Sequence, residues 1–252
     1  MTDIQIHIKS KTYPAVAQAA HHLAIADFKL SLKSGEFVCL VGPSGCGKTT
    51  LLNMIAELDN DFEGEITLGE QHTHPKIGYI FQNPRLLPWR TVRENIELVL
   101  DAHSQSELGN VPNVIDDLLE TMQLSQAQHV YPERLSLGMS RRISIIRAFA
   151  VDPDVLLMDE PFVSLDAPTA RQVRELLLKL WQQRPHTVLF VTHDLREAIA
   201  LADRLIFLSP SPMRVLSEIV VPISRHERSN ELAVESFRQK LIHDHPAIKQ
   251  LL

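Results

Sequence analysis

The chain has 252 residues, 44% of them apolar, which suits one large domain or a core with a subdomain. Its formal net charge is −6, so bulk electrostatics offer nothing to nucleic acid or to an anionic membrane surface. The two cysteines, Cys39 and Cys46, fall on a buried strand and a loop, which argues against a disulfide framework and for a reducing compartment. In chain order, the first residues, "MTDIQIHIKS", alternate apolar and polar side chains and read as a strand rather than a signal peptide. "LAIADFKLSL" alternates in the same way, and the two predict half-buried antiparallel strands. "EFVCLV" is a continuous apolar run, as in a strand covered on both faces. "GPSGCG" breaks it, and "KTTLLNMIAEL" follows as a helix. Short strands are expected at "EGEITLG" and "KIGYIFQ". From about residue 91 to 150 the pattern is helical, with Ile115, Leu118, Leu119 and Met122 on one face.

Further on, "PDVLLMD" and "HTVLFVTH" are apolar strands separated by the amphipathic "TARQVRELLLKLWQQR", a βαβ unit whose crossover implies parallel strands. "DLREAIALA" is a helix with Asp194 at its N-cap. "DRLIFLS" and "RVLSEIVV" return to strand. After a polar linker, "SRHERS", the segment "NELAVESFRQKLIHDHPAIKQLL" reads as one or two helices. No run approaches the roughly 20 apolar residues that span a bilayer, so work at a membrane would need a partner to hold the chain there.

The segment Gly42, Pro43, Ser44, Gly45, Cys46, Gly47, Lys48, Thr49 fits the G-x-x-x-x-G-K-[ST] pattern and lies between a buried strand and a helix, where such a loop binds phosphate. Glycines let the backbone turn its N–H groups inward as an anion nest, and the helix N-terminus adds partial positive charge. Lys48 can reach β- and γ-phosphates, and the Thr49 hydroxyl can ligate Mg²⁺. Such a site needs a carboxylate. Asp159 ends the apolar strand "VLLMD", and strand ends carry ligand groups in open α/β sheets. Glu160 is next, placed to orient or deprotonate an attacking water.

With these residues in place, the chain resembles the ATP-binding subunit of ABC transporters over nearly all of residues 1–222. The resemblance rests on an ordered set: "GPSGCGKTT", "FQNP", "LSLGMSRR", "LLMDEP", "SLD" and "VTHD". It implies an α/β fold, a P-loop NTPase (RecA-like) core with an antiparallel β subdomain and an inserted helical subdomain at about 85–150. Residues 223–252 would form a C-terminal helical extension. It implies ATP and Mg²⁺ as ligands, with Thr50 beside the phosphate loop, Glu160 as catalytic base and Gln82 near the metal and the attacking water. His193 would be the switch histidine at the γ-phosphate, and Asp166 would sit in the loop that communicates between two ATP sites. Tyr13 resembles the aromatic that stacks on adenine, with Phe28 and His22 as competitors and "AVAQAAHH" as an insertion.

"LSLGMSRR" then corresponds to the family's signature motif, a helix start facing the ATP of a second subunit. Ser136 would offer its hydroxyl and Gly138 its backbone N–H. The common form is Leu-Ser-Gly-Gly-Gln. Met139 resembles the variant of importers for nitrate, sulfonates and taurine, whereas Leu137 puts a bulky side chain where glycine is usual. "RLLPWRTVRENIELVL" resembles the same group near the place that receives a permease. The plainer reading of it is a buried Trp89 before a helix. The resemblance implies an ATPase that energises import of a small solute. Its partners would be a second copy or a paralogous ATPase, integral membrane permeases and, indirectly, a solute receptor, and not nucleic acid. Its place would be the cytoplasmic face of the cell membrane. The other classes are a soluble non-transport ABC ATPase and a regulatory nucleotide-binding protein.

Overall fold

A computed structural model of the chain describes residues 3–15, 21–69, 75–101 and 111–249. The strands in chain order are β1 (Ile4–Tyr13), β2 (His22–Leu32), β3 (Phe37–Val41), β4 (Glu63–Leu68), β5 (Ile77–Ile80), β6 (Val155–Asp159), β7 (Thr187–Thr192), β8 (Arg204–Leu208) and β9 (Val215–Val220). The helices are α1 (Lys48–Ile55), α2 (Val92–Asp101), α3 (Val111–Thr121), α4 (Leu137–Ala150), α5 (Ala167–Gln183), α6 (Leu195–Leu201), α7 (Glu231–Asp244) and α8 (Pro246–Lys249). Most of the expected "AVAQAAHH" insertion lies outside the described residues. The chain forms two compact units, Met1–His74 with Thr187–Leu252, and Pro75–His186.

In the first unit β1 lies between β2 and β4, antiparallel to both, as the alternation of Ile4, Ile6 and Ile8 predicts. The alternation ends at a register shift between Ile8 and Ser10 against β4. A one-residue irregularity flips the following side chains to the other face. Lys11 is thereby buried, and its ammonium donates to Asp59 Oδ1 at 2.9 Å and to the Asp61 carbonyl at 2.6 Å. Burial alone would lower the Lys11 pKa, but the bond and charge of Asp59, with Asp61, hold it raised.

The second sheet of this unit runs β7-β3-β8-β9. β3 is parallel to β7 and β8, and β9 is antiparallel to β8. All five β3 residues are buried, so the continuous apolar run "FVCLV" is a strand covered on both faces. Phe37 and Phe190 meet edge-to-face with centroids 6.5 Å apart. Neither Cys39 nor Cys46 is in a disulfide, and burial pushes the Cys39 thiol well up.

In the second unit β5 and β6 are parallel, and α4 packs against α2, α3 and α5. Along α5, Ala170, Val173, Leu176, Leu177, Leu180 and Trp181 are buried at the spacing of one helix face. Each of the larger ones contributes about 1.5–3 kcal/mol relative to exposure.

Candidate nucleotide site

The phosphate loop joins the buried end of β3 to the first turn of α1 within the first unit. Gly45 (φ 77°) and Gly47 (φ 114°) take left-handed conformations, which explains glycine at both. Lys48 is buried, and its ammonium donates to the carbonyls of Gly42 and Pro43 at 2.8 and 2.9 Å. The cation is thus held over its own loop by the chain that would wrap a phosphate. Cys46 is buried, and its backbone N–H donates to Pro43 within the loop, in keeping with a passive thiol. Pro43 is half-buried, and Ser44, Gly45 and Thr49 are exposed.

Tyr13 ends β1 and is 40% exposed. Its hydroxyl is 3.1 Å from Thr50 Oγ1 on α1, and the Lys11 ammonium lies 4.9 Å from the ring centroid. Phe28, one of its competitors for adenine, is fully buried in β2 and presents no face to a base. His22 is exposed but engaged, its Nε2 3.2 Å from Ser211 Oγ. His193 follows β7 on the surface, and Asp194 caps α6, accepting from the N–H groups of Arg196 (2.7 Å) and Glu197 (3.3 Å).

In the second unit Asp159 ends β6 and is buried. Glu160 has φ 42°, a left-handed conformation that costs a non-glycine residue about 1–3 kcal/mol. Gln82 is exposed, and its Nε2 donates to Glu160 Oε2 at 3.4 Å, so these two sequence-distant residues meet. Ser136 is the N-cap of α4, its Oγ accepting from the Met139 N–H at 3.2 Å. Asp166 caps α5 likewise, accepting from the Thr169 N–H at 3.2 Å, and the bonds from Thr169 hold its carboxyl below the usual range. Gly138 is buried against Thr169, and a Cβ there would lie 2.7 Å from Thr169 Cγ2.

Two observations concern the surroundings. Trp89 is 70% exposed, against the plainer reading of it as buried; the loop before α2 is held instead by the buried Asn95, which accepts from the Leu87 N–H and donates to the carbonyls of Leu87, Arg90 and Thr91. Leu137 is 44% exposed in the single chain. Two charged residues escaped the sequence reading. Lys11 backs the Tyr13 ring, and the signal was a lysine where a strand's alternation should change face. Arg141, inside "LSLGMSRR", is only 2% exposed and donates from Nη1 to the Phe81 carbonyl at 3.0 Å, one residue before Gln82.

A strand–loop–helix phosphate loop with a buried lysine, and an Asp-Glu pair ending a buried strand, define a P-loop NTPase. Residues 25–163 match the ABC transporter family. The aliphatic sulfonates import ATP-binding protein of a Bacillus cereus strain is 42% identical over 221 residues, 86% of each chain. The nitrate import ATP-binding protein of Synechococcus elongatus is 39% identical over 233 residues, 90% of this chain and 84% of that one. The bicarbonate transport ATP-binding protein of a Synechocystis species is 38% identical over 221 residues, 86% of this chain and 78% of that one. Among solved structures, an ATP-binding cassette in a dimeric post-hydrolysis state bound to ADP and Pi matches with a TM-score of 0.74. It is 30% identical and covers 88% of this chain and 100% of that one. The chain belongs to the ABC transporter family, as an ATP-hydrolysing cassette with the P-loop NTPase fold.

Proposed function

We propose that this ATPase energises an importer for a small anion of the sulfonate, nitrate or bicarbonate kind. The observation that carries this reading is that import and transport ATP-binding proteins for these anions share 38–42% identity with it over most of its length. Membrane passage is assigned to separate permease subunits, which would hold the chain at the cytoplasmic face. No helix of the described residues is long and apolar enough to cross a bilayer. In this reading the loop with the exposed Trp89 lies on the permease-facing surface. Residues 1–222 are proposed as the ATPase domain, with the helical insertion at about 85–150 and residues 223–252 as an extension.

In this reading Lys48 and the phosphate loop, Gly42 to Thr49, bind the β- and γ-phosphates, and Tyr13 stacks on adenine. Glu160 is the base that takes a proton from the attacking water, with Gln82 orienting that water through the contact the two already make. His193 holds the γ-phosphate oxygens. A second copy would contribute Ser136 and Gly138 to each ATP. In this reading the oxygen donors Thr49, Asp159 and Gln82 would hold Mg²⁺, their chemistry suiting an ion that prefers a few protein oxygens and keeps several waters. When bound, the ion supplies neutralisation of phosphate charge. The rest of catalysis is positioning and charge stabilisation by the chain's own groups.

Glu160→Gln should keep ATP binding and dimerisation while lowering turnover by about 10²-fold or more. Release of phosphate at the parental rate would remove Glu160 as the base. Lys48→Ala should lose nucleotide binding or turnover, and undiminished ATPase activity would sink the phosphate-loop reading. The importer reading is tested by co-purification with a multi-spanning permease; ATPase activity that never associates with one favours the soluble class.

A further inference from the structure

The C-terminal helix α7 lies on α6, the short helix that begins directly after His193 and Asp194. The contact is ionic at the end of α6 nearest His193. Arg196, in the first turn of α6, donates from Nε to Glu235 Oε2 of α7 at 2.7 Å. The same carboxylate accepts from Arg238 at 3.0 and 2.7 Å, and from Gln239 at 3.2 Å. The charge of Asp194 acts favourably on Arg238. Four charges, Asp194, Arg238, Glu235 and Arg196, therefore alternate in sign between the two helices.

The chain around His193 is itself tightly specified. Asp194 Oδ1 caps α6 through the Arg196 and Glu197 N–H groups. The Asp194 N–H donates to Thr192 Oγ1 at 3.0 Å, and that hydroxyl donates to Glu197 Oε2 at 3.0 Å. His193 sits in the middle of this turn. The bonds at Thr192 and Asp194 fix the backbone on either side of His193 to the first turn of α6.

Helix α7 is well seated for the task. It bears Val234 and Leu241 on its buried side, and Asn230 caps its start by accepting from the Leu232 N–H at 3.0 Å. The segment leading to it is pinned where Arg225 donates from Nε to Asp203 Oδ1 at 2.9 Å, with Arg228 bonded to the same carboxylate. The carboxylate that reaches Arg196 thus projects from an anchored helix. By contrast Arg196 is 62% exposed and would wander without its partner.

We propose that Glu235 and Arg238 of the C-terminal helix are positioning residues for the switch histidine, holding the turn that bears His193 through Arg196 and Asp194. The inference rests on the reading of His193 as a γ-phosphate contact. It gives the C-terminal segment a part in catalysis: α7 seated on α6 keeps His193 in register, and a partner that lifted α7 would lower turnover without touching the nucleotide. Interaction networks of this kind change coupling without contacting a ligand, and small displacements of a positioned group are costly in rate.

The test is steady-state ATPase kinetics on the full chain, with Glu235→Gln, Arg196→Gln, the double variant and His193→Ala alongside the parent. Both single variants should lower kcat by about 3- to 10-fold with the ATP KM nearly unchanged. The double variant should fall no further than the lower single one, since both remove the same link. The thermal midpoint should stay near the parent's, because an exposed pair contributes little stability. Raising salt should bring the parent down toward Glu235→Gln while the variant responds less. If Glu235→Gln proves unstable, Arg196→Gln breaks the same bond from its exposed side. Parental kcat in both single variants while His193→Ala is inactive would overturn the positioning role alone. Parental turnover in His193→Ala would overturn the histidine reading and this inference with it.

Discussion

At the scale of single residues, Gly138 shows how a glycine in the signature segment is fixed by its neighbour. It is buried, and a methyl added to it would come within 2.7 Å of Thr169 Cγ2. Thr169 is also the residue whose N–H completes the Asp166 cap of α5. Gly138→Ala therefore forces Thr169 aside and strains that cap. We expect a loss of about 1–3 kcal/mol in denaturant unfolding, the usual cost of overpacking. Adding Thr169→Ser, which removes the offending methyl and keeps the hydroxyl, should recover most of it; a double variant as unstable as Gly138→Ala would show that the strain lies elsewhere. The sequence could mark Gly138 through its motif but not through this contact, because Thr169 lies far along the chain. Lys48, by contrast, was marked by a motif contiguous in sequence, and the carbonyls it meets lie within that same motif, five and six residues away. Residues whose partners are local in sequence can be read from spacing. Lys11, with Asp59 and Asp61 about fifty residues off, cannot.

At the scale of elements, the strands and helices followed their periodicities, but α4 did more than its pattern announced. It is buried around most of its circumference, so no polar face marks its role. Its arginines are instead spent inward. Arg141 donates to the Phe81 carbonyl at 3.0 Å and Arg147 to the Arg85 carbonyl at 2.8 Å, bracketing Gln82, Asn83 and Pro84. The Arg85 guanidinium also lies 3.9 Å from the Phe81 ring centroid. One helix thus carries the signature N-cap at Ser136 and fixes the loop bearing Gln82. Arg141→Met keeps the volume and leaves the Phe81 carbonyl without this donor, which costs about 1–3 kcal/mol. Turnover should fall with the ATP KM little changed, since Gln82 loses its anchor while the phosphate loop keeps its own. An Arg141→Met chain with parental kcat would show that the backbone before Gln82 holds itself. "SRHERS" does link β9 to α7, but a polar segment gives no sign in the sequence of a distant partner that pins it. Here Arg225 and Arg228 both bind Asp203.

At the scale of the whole molecule, that carboxylate decides whether the chain's last elements belong to the core of their unit. Asp203 precedes β8, accepts from the Phe37 N–H at 3.1 Å, and binds Arg225 and the buried Arg228. One side chain thus ties the start of β3, the start of β8 and the segment leading to α7. Burial alone would raise its pKa, but the Arg225 bond, the Phe37 N–H and the charges of Arg225 and Arg228 hold it below the ordinary 3.8. A carboxyl depressed in the folded state stabilises fully above its unfolded pKa, and the contribution is lost as pH falls through the folded one. Asp203→Asn keeps the shape and removes the charge, leaving the mostly buried Arg228 guanidinium without its counterion. At neutral pH it should cost about 1–3 kcal/mol. The gap between parent and variant in denaturant midpoint should stay constant from about pH 8 to pH 5 and narrow only below about pH 4. A gap already closing between about pH 7 and pH 5.5 would mean that the arginines do not hold this carboxyl ionised, and that the C-terminal helices are kept in place by Val234, Leu241 and Ile248 alone.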